Sequence, residues 1–214
     1  MNKCAIPIFS FCIIGAIVCL FVHFCVIRNI ILLVIASIFF LGAAFTFYFF
    51  RDPERKILAT DDQIVAPADG KIIAIDEYKE NGQLFTKISI FLSIVDVHIN
   101  RAPVAGKIDK LEYHPGKFYV ALKEAASTEN EQNIITLGSK HGTVIVKQIA
   151  GIIARRIVFW KNKGDTVGLG EKIGMIAFGS RTELILPGPI KLHIKINDKV
   201  HAGLTIIGEW HEKN

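Results

Sequence analysis

Two apolar runs, Ala5 to Ile27 and Ile30 to Phe50, contain no Asp, Glu, Lys or Arg and are separated only by Arg28-Asn29. Each exceeds the roughly 20 residues a helix needs to cross ~30 Å of hydrocarbon. The core of a cleaved signal peptide is shorter and ends at a small-residue cleavage site, so these runs predict a retained anchor. We expect a tight transmembrane helical hairpin within residues 1–56, with helices over about 5–27 and 30–50; one long span plus a buried segment is the alternative. Arg51, Arg55 and Lys56 follow the second run and Lys3 precedes the first. The positive-inside rule then puts both ends, and the remaining chain, on the cytoplasmic side of the cell membrane. His23 falls inside the first run, where a neutral, a snorkelled or a helix-paired histidine is the expectation.

The chain beyond residue 50 carries 23 basic and 20 acidic side chains. That mixed surface lacks the charge footprint of a nucleic-acid binder. Cys4, Cys12, Cys19 and Cys25 all lie in the first 25 residues, the last three inside the first apolar run. Residues 57–214 therefore have no disulfide framework and no cysteine metal site.

From Ile64 onward, short apolar segments alternate with Gly, Pro, Asn and Asp. Lys71–Ile75, Thr86–Leu92, Thr143–Ile149, Ile152–Trp160, Glu183–Leu186 and Val200–Ile207 read as strands. Leu192, Ile194 and Ile196 share one face of Lys191–Ile196, which leaves His193 on the solvated face. Phe118–Ala126 is the best helical candidate. The fold class is mainly β (α+β): a sandwich of short strands with few helices. The turns at Ala66–Ile72 and Lys163–Gly174 resemble those of lipoyl and biotinyl carrier domains, although no exposed lysine motif for carrier chemistry is present.

Three polar features stand out. Asp69 lies in an Ala-Asp-Gly turn. His98 lies in Asp96-Val97-His98-Ile99-Asn100-Arg101, where an apolar strand turns polar. Ser180 follows Gly179 at the end of the run Gly174–Phe178. Taken singly, these are a turn acceptor, a hydrogen-bonded strand-end histidine and a turn serine. Taken together, an acid, a histidine and a serine are the parts of a nucleophilic triad. Ser180 lacks the Gly-x-Ser-x-Gly surround of a hydrolase elbow. The preceding glycine, open to strained backbone angles and close approach, instead suggests a serine that attacks its own chain.

The chain resembles the phosphatidylserine decarboxylase family in its short, membrane-anchored prokaryotic form. The resemblance is carried by Phe49–Arg55, Ala66–Lys71, Asp96–Gly106, Tyr113–Phe118, Glu129–Asn133, Ala150–Arg156 and Phe178–Arg181. It implies a lyase that converts phosphatidylserine to phosphatidylethanolamine with a covalent pyruvoyl group in place of pyridoxal phosphate, and with no metal. It further implies self-cleavage between Gly179 and Ser180 into a β chain 1–179 and an α chain 180–214 that stay associated. Ser180 would become the pyruvoyl group that forms a Schiff base with the substrate amine. His98 would deprotonate Ser180, and Asp69 would orient His98. The longer members carry His-x-x-His where this chain has His98 and Arg101. The resemblance then implies either that His98 serves both cleavage and decarboxylation or that another residue takes one role. His114 is the obvious substitute and could equally be a turn residue before Pro115-Gly116.

A cluster of Arg51, Arg55, Arg155 and Arg156 is expected to attract the lipid phosphate. The partners implied are phosphatidylserine in the bilayer and further copies of the chain in a homo-oligomer, with no nucleic acid. A pyruvoyl enzyme of a soluble amino acid and a membrane-tethered lipoyl-like adaptor without chemistry are the competing readings; the anchor argues against the first.

Overall fold

The computed structural model describes residues 5–152, 157–177 and 179–210. The chain divides into two compact units, Met1–Pro53 and Glu54–Asn214.

In the first unit, α1 (Ile6–Cys25) and α2 (Ile30–Phe49) are each 20 residues long, or ~30 Å at 1.5 Å per residue. Both are long and apolar enough to cross a membrane. They pack antiparallel: Phe11 meets Phe39 edge-on at 5.8 Å, and a Cβ on Gly15 would run into the Phe39 ring. Asn29 caps α2 through its side chain, which accepts from the Ile31 amide at 2.9 Å. His23 Nδ1 lies 2.9 Å from the Asn29 carbonyl, so the imidazole ties the end of α1 to the interhelical turn as a helix-paired residue.

The second unit holds β1 (Gln63–Val65), β2 (Gly70–Glu80), β3 (Gln83–Leu92), β4 (Ile99–Arg101) and β5 (Gly106–His114). A single helical turn, α3 (Ala126–Glu129), precedes β6 (Gln132–Ser139), β7 (Gly142–Ile149) and β8 (Ile157–Phe159). The chain closes with β9 (Thr166–Val167), β10 (Lys172–Ile176), β11 (Ser180–Pro187), β12 (Ile190–Leu192), β13 (Lys199–Val200) and β14 (Ile206–Trp210). The large sheet runs β13-β2-β3-β11-β7-β6-β5-β9, and two three-stranded sheets, β1-β14-β12 and β4-β10-β8, complete the fold. One apolar core draws side chains from all three sheets, including Ile64, Ile90, Ile135, Val146, Ile173 and Leu184.

The mainly-β reading and the helical hairpin are borne out. Local details differ. The Lys191–Ile196 alternation yields a strand only to Leu192, and Ile196 is half exposed beside Asn197 at φ 79°. Residues 201–205 form a turn held by the His201 amide donating to Thr205 Oγ1 rather than a continuous strand. Phe118–Ala126 is a loop ending in α3 rather than a helix; Asn130 takes its Tyr119 backbone groups into side-chain hydrogen bonds. Of Ile152–Trp160, only Ile157–Phe159 is a described strand.

Candidate active site

Strand β11 lies at the centre of the large sheet, between β3 and β7. Period-2 alternation puts Ser180, Thr182, Leu184 and Leu186 on one face, and Leu184 and Leu186 belong to the core. That inner face is therefore apolar in its middle and polar at the Ser180 end. The register aligns Thr182 with Gln148 on β7, and Gln148 with Asn133 on β6. Each lies two residues beyond a core side chain on its own strand.

This polar row is closed by hydrogen bonds. The Asn133 amide donates to Gln148 Oε1 at 3.1 Å, and Gln148 Nε2 donates to Asn100 Oδ1 at 2.9 Å. Asn100 Nδ2 donates to Thr182 Oγ1 at 3.0 Å and to the Pro67 carbonyl at 3.3 Å. All four side chains are buried, so the row meets the requirement that interior polar groups be paired. It fixes β4 against β11.

His98 lies two residues before Asn100 and immediately precedes β4. It is fully buried, and the Ile176 amide donates to its carbonyl. From Ile176 only three residues lead to Ser180, so His98 and Ser180 occupy the same end of the fold. His98 Nδ1 lies 2.9 Å from the Asp96 carbonyl. A carbonyl can only accept, so Nδ1 carries the proton and Nε2 is the basic nitrogen of the neutral ring.

Ser180 is fully buried, and its Oγ has no hydrogen-bond partner among the described residues. Leaving a buried hydroxyl unpaired costs ~1–3 kcal/mol. Gly179, just before it, has φ +60°, a left-handed conformation that disfavours a side chain.

Asp69 is engaged elsewhere. Arg55 binds its carboxylate with two nitrogens at 2.6 and 2.9 Å, and the Ala202 amide donates to it at 2.8 Å. His201 Nδ1 approaches to 3.3 Å; His98 is not among its partners. Burial pushes the Asp69 carboxyl up, but Arg55, the Ala202 amide and His201 together hold it below its ordinary value. Arg55 is thereby drawn out of the basic set that follows α2, while Arg51 lies over the Tyr48 ring at 4.1 Å. Arg101 is buried and donates to the Gly170 carbonyl at 2.8 Å. Arg155 and Arg156 lie outside the described residues.

His114 is exposed at the end of β5. It registers with Gln132, which registers with Ile149, which registers with Arg181. Three strand spacings put it about 14 Å from the start of β11. The opposite face of β11 carries Arg181 paired with Glu183 at 3.1 Å, both buried. Ser89 and Ser127 complete that pair.

In the sequence Asn100, Asn133 and Ala150-Gly151 are only parts of longer motifs, and Gln148 and Thr182 carry no mark of a site. The signal available was the polar residue ending each apolar alternation.

A buried serine hydroxyl with no hydrogen-bond partner among the described residues, at the same end of a β domain as a buried histidine, is the outline of an enzyme site, and the two apolar helices suggest membrane association. Residues 42–208 match the family model described as phosphatidylserine decarboxylase. The chain belongs to that family. It is 50% identical over 167 residues to a phosphatidylserine decarboxylase proenzyme of Solibacter usitatus, covering 78% of this chain and 79% of the relative. It is 47% identical over 182 residues to a protein of the same name from Desulfotalea psychrophila, covering 82% and 84%. A third, from Magnetococcus marinus, is 42% identical over 176 residues, covering 80% of each.

Proposed function

We propose that this chain is a precursor that splits itself between Gly179 and Ser180 and then decarboxylates phosphatidylserine to phosphatidylethanolamine. The observation that carries the reading is the buried Ser180 hydroxyl, without a hydrogen-bond partner among the described residues, directly after a left-handed glycine, in a chain of this family. Ser180 Oγ bonds to the Gly179 carbonyl carbon as the C–N bond breaks, and the hydroxyl proton ends on the Ser180 nitrogen. Removal of the Ser180 Cα proton then breaks the Cβ–Oγ bond and releases residues 1–179 with a Gly179 carboxylate. Water displaces the nitrogen as ammonia and leaves a pyruvoyl group at the head of residues 180–214.

A buried serine with no competing hydrogen bond among the described residues suits that conversion, because none of them is stranded when the hydroxyl is lost. The pyruvoyl group supplies a carbonyl that takes up the substrate amine and the electron pair left as carbon dioxide departs. His98 Nε2 is the base assigned to the Ser180 hydroxyl, with Nδ1 anchored by the Asp96 carbonyl. Asp69 acts as a positioning residue. Its turn presents the Pro67 carbonyl to the Arg101 amide and to Asn100, which places β4 and so His98. Arg155 and Arg156 are assigned to the lipid phosphate. The exposed His114, three strands away, suits the head group rather than proton transfer at Ser180.

The apolar helices hold the enzyme in the cell membrane, where a diacyl lipid resides, with Glu54–Asn214 facing the cytoplasm. The two chains stay together because β11 is paired on both edges. A denaturing gel of the purified protein tests the splitting: two bands for the parent and one for Ser180→Ala are expected. Carbon dioxide release from phosphatidylserine but not from free serine tests the substrate. An unsplit, fully active parent overturns the reading.

A further inference from the structure

We infer that Gly151 is a positioning residue for the self-cleavage, and that its missing side chain seats the carbonyl that Ser180 attacks. The inference rests on the splitting proposed above. The register of β7 on β11 pairs Ile149 with Arg181. Continuing both chains sets Ala150 opposite Ser180 and Gly151 opposite Gly179. A Cβ built on Gly151 overlaps the Gly179 carbonyl oxygen, so the two backbones touch where only hydrogen fits. Gly151 is not in the left-handed region, unlike Gly179 at φ +60°. Space, rather than backbone angle, is what requires glycine at 151.

The seat is held from behind. Asn130, 1% exposed, donates to the Ala150 carbonyl at 2.7 Å and to the Tyr119 carbonyl at 2.9 Å. The Ala150 amide donates to the Glu131 carbonyl at 2.9 Å. On the far side, Ala121 Cβ lies 3.5 Å from the Cβ position of Gly151. The oxygen of the Gly179–Ser180 peptide is thus bounded by Gly151, while Ser180 Oγ has no hydrogen-bond partner among the described residues.

This geometry bears on one bond-forming step. Attack closes a five-membered ring of Oγ, Cβ, Cα and N of Ser180 with C of Gly179. The oxygen of Gly179 takes the negative charge as the Oγ–C bond forms. The ring closes only if one face of that carbonyl is turned toward Oγ. A methyl group at 151 pushes the oxygen aside and turns the face away. Misplacement by about 1 Å in such a step costs ~100-fold in rate.

The test follows splitting of the full chain made by cell-free translation into nanodiscs, read on gels against time, for the parent, Gly151→Ala, Asn130→Ala and Gly82→Ala. Gly82 has φ +80° and nothing within 4 Å of its Cβ position, so Gly82→Ala is a strained glycine replacement outside the site. The expected result is a ~100-fold slower split for Gly151→Ala and ~10-fold for Asn130→Ala, with Gly82→Ala like the parent at a comparable loss of Tm. Hydroxylamine, which cleaves esters, should not cut unsplit Gly151→Ala, because the acyl shift itself is blocked.

The inference is overturned if Gly151→Ala splits within threefold of the parent. It is also overturned if hydroxylamine cuts it at 179/180, or if Gly82→Ala slows as much. Should Gly151→Ala not fold, Asn130→Ala decides alone: parent-like splitting overturns the seat. A parent that never splits would instead sink the self-cleavage reading.

Discussion

The Arg55–Asp69 pair gives the sharpest energetic prediction. The two side chains are 7% and 6% exposed, so the pair belongs with buried ion pairs rather than screened surface ones. Arg55→Met removes both guanidinium bonds to the carboxylate and the bond to the Ala202 carbonyl. Asp69 keeps only the Ala202 amide and His201. Stranding one member of a buried pair costs ~3–5 kcal/mol. At ~2–4 °C per kcal/mol for a domain of this size, Tm should fall by about 6–20 °C.

The assay is thermal unfolding of Ser180→Ala with and without Arg55→Met in detergent, across pH. The sign follows from Asp69. Its folded pKa lies below the ordinary 3.8, so its stabilisation is present above that value and lost as pH falls through the folded pKa. Without Arg55, burial dominates and raises the Asp69 pKa, so protonation relieves the variant. The gap between the two proteins should be widest near neutral pH and narrow as pH falls toward 3. A gap under 1 kcal/mol, or one that widens with acid, would refute the argument. The pair also joins residues on both sides of the proposed break, since Ala202 and His201 belong to 180–214.

Further outcomes follow from the same contacts. His98→Ala should slow chain splitting by ~10²–10⁴, as loss of a general base does, while Asp69→Asn should slow it less and lower Tm; rates from gels decide both. Asn100→Leu strands the Gln148 amide and the Thr182 hydroxyl, leaves the Pro67 carbonyl only its Arg101 amide donor, and a denaturant midpoint should report ~2–4 kcal/mol lost. Leu184→Ala, fully buried on the central strand, should cost ~2–5 kcal/mol on the same assay. After splitting, the two chains should co-elute in detergent until β11 is unfolded by denaturant.

The helical hairpin could be read from sequence because hydrocarbon thickness sets helix length and charge is excluded throughout: α1 and α2 begin and end within three residues of the expected bounds. Strands β2, β3, β7 and β11 could be read because each alternates against a common core. Lys191–Ile196 alternates equally well, but only its Lys191-Leu192 end is paired with β14, in the ladder of Ile190–Leu192. A strand needs a neighbour, which periodicity does not supply. Ser180, His98 and Asp69 stood out by residue type. The partners of Asp69 did not, since Arg55 and Ala202 are remote in sequence and meet it only through tertiary contacts. The row Asn133–Gln148–Asn100–Thr182 is likewise invisible until β6, β7, β4 and β11 assemble.

Intact mass of the purified protein decides whether Gly179-Ser180 is both cleavage site and cofactor source. Two polypeptides are expected. One is residues 1–179 ending in a free carboxylate. The other is residues 180–214, lighter by one ammonia than a peptide beginning with serine, and readily reduced by borohydride. A single unsplit chain that still releases carbon dioxide from phosphatidylserine, or a fragment beginning with unmodified Ser180, would contradict it.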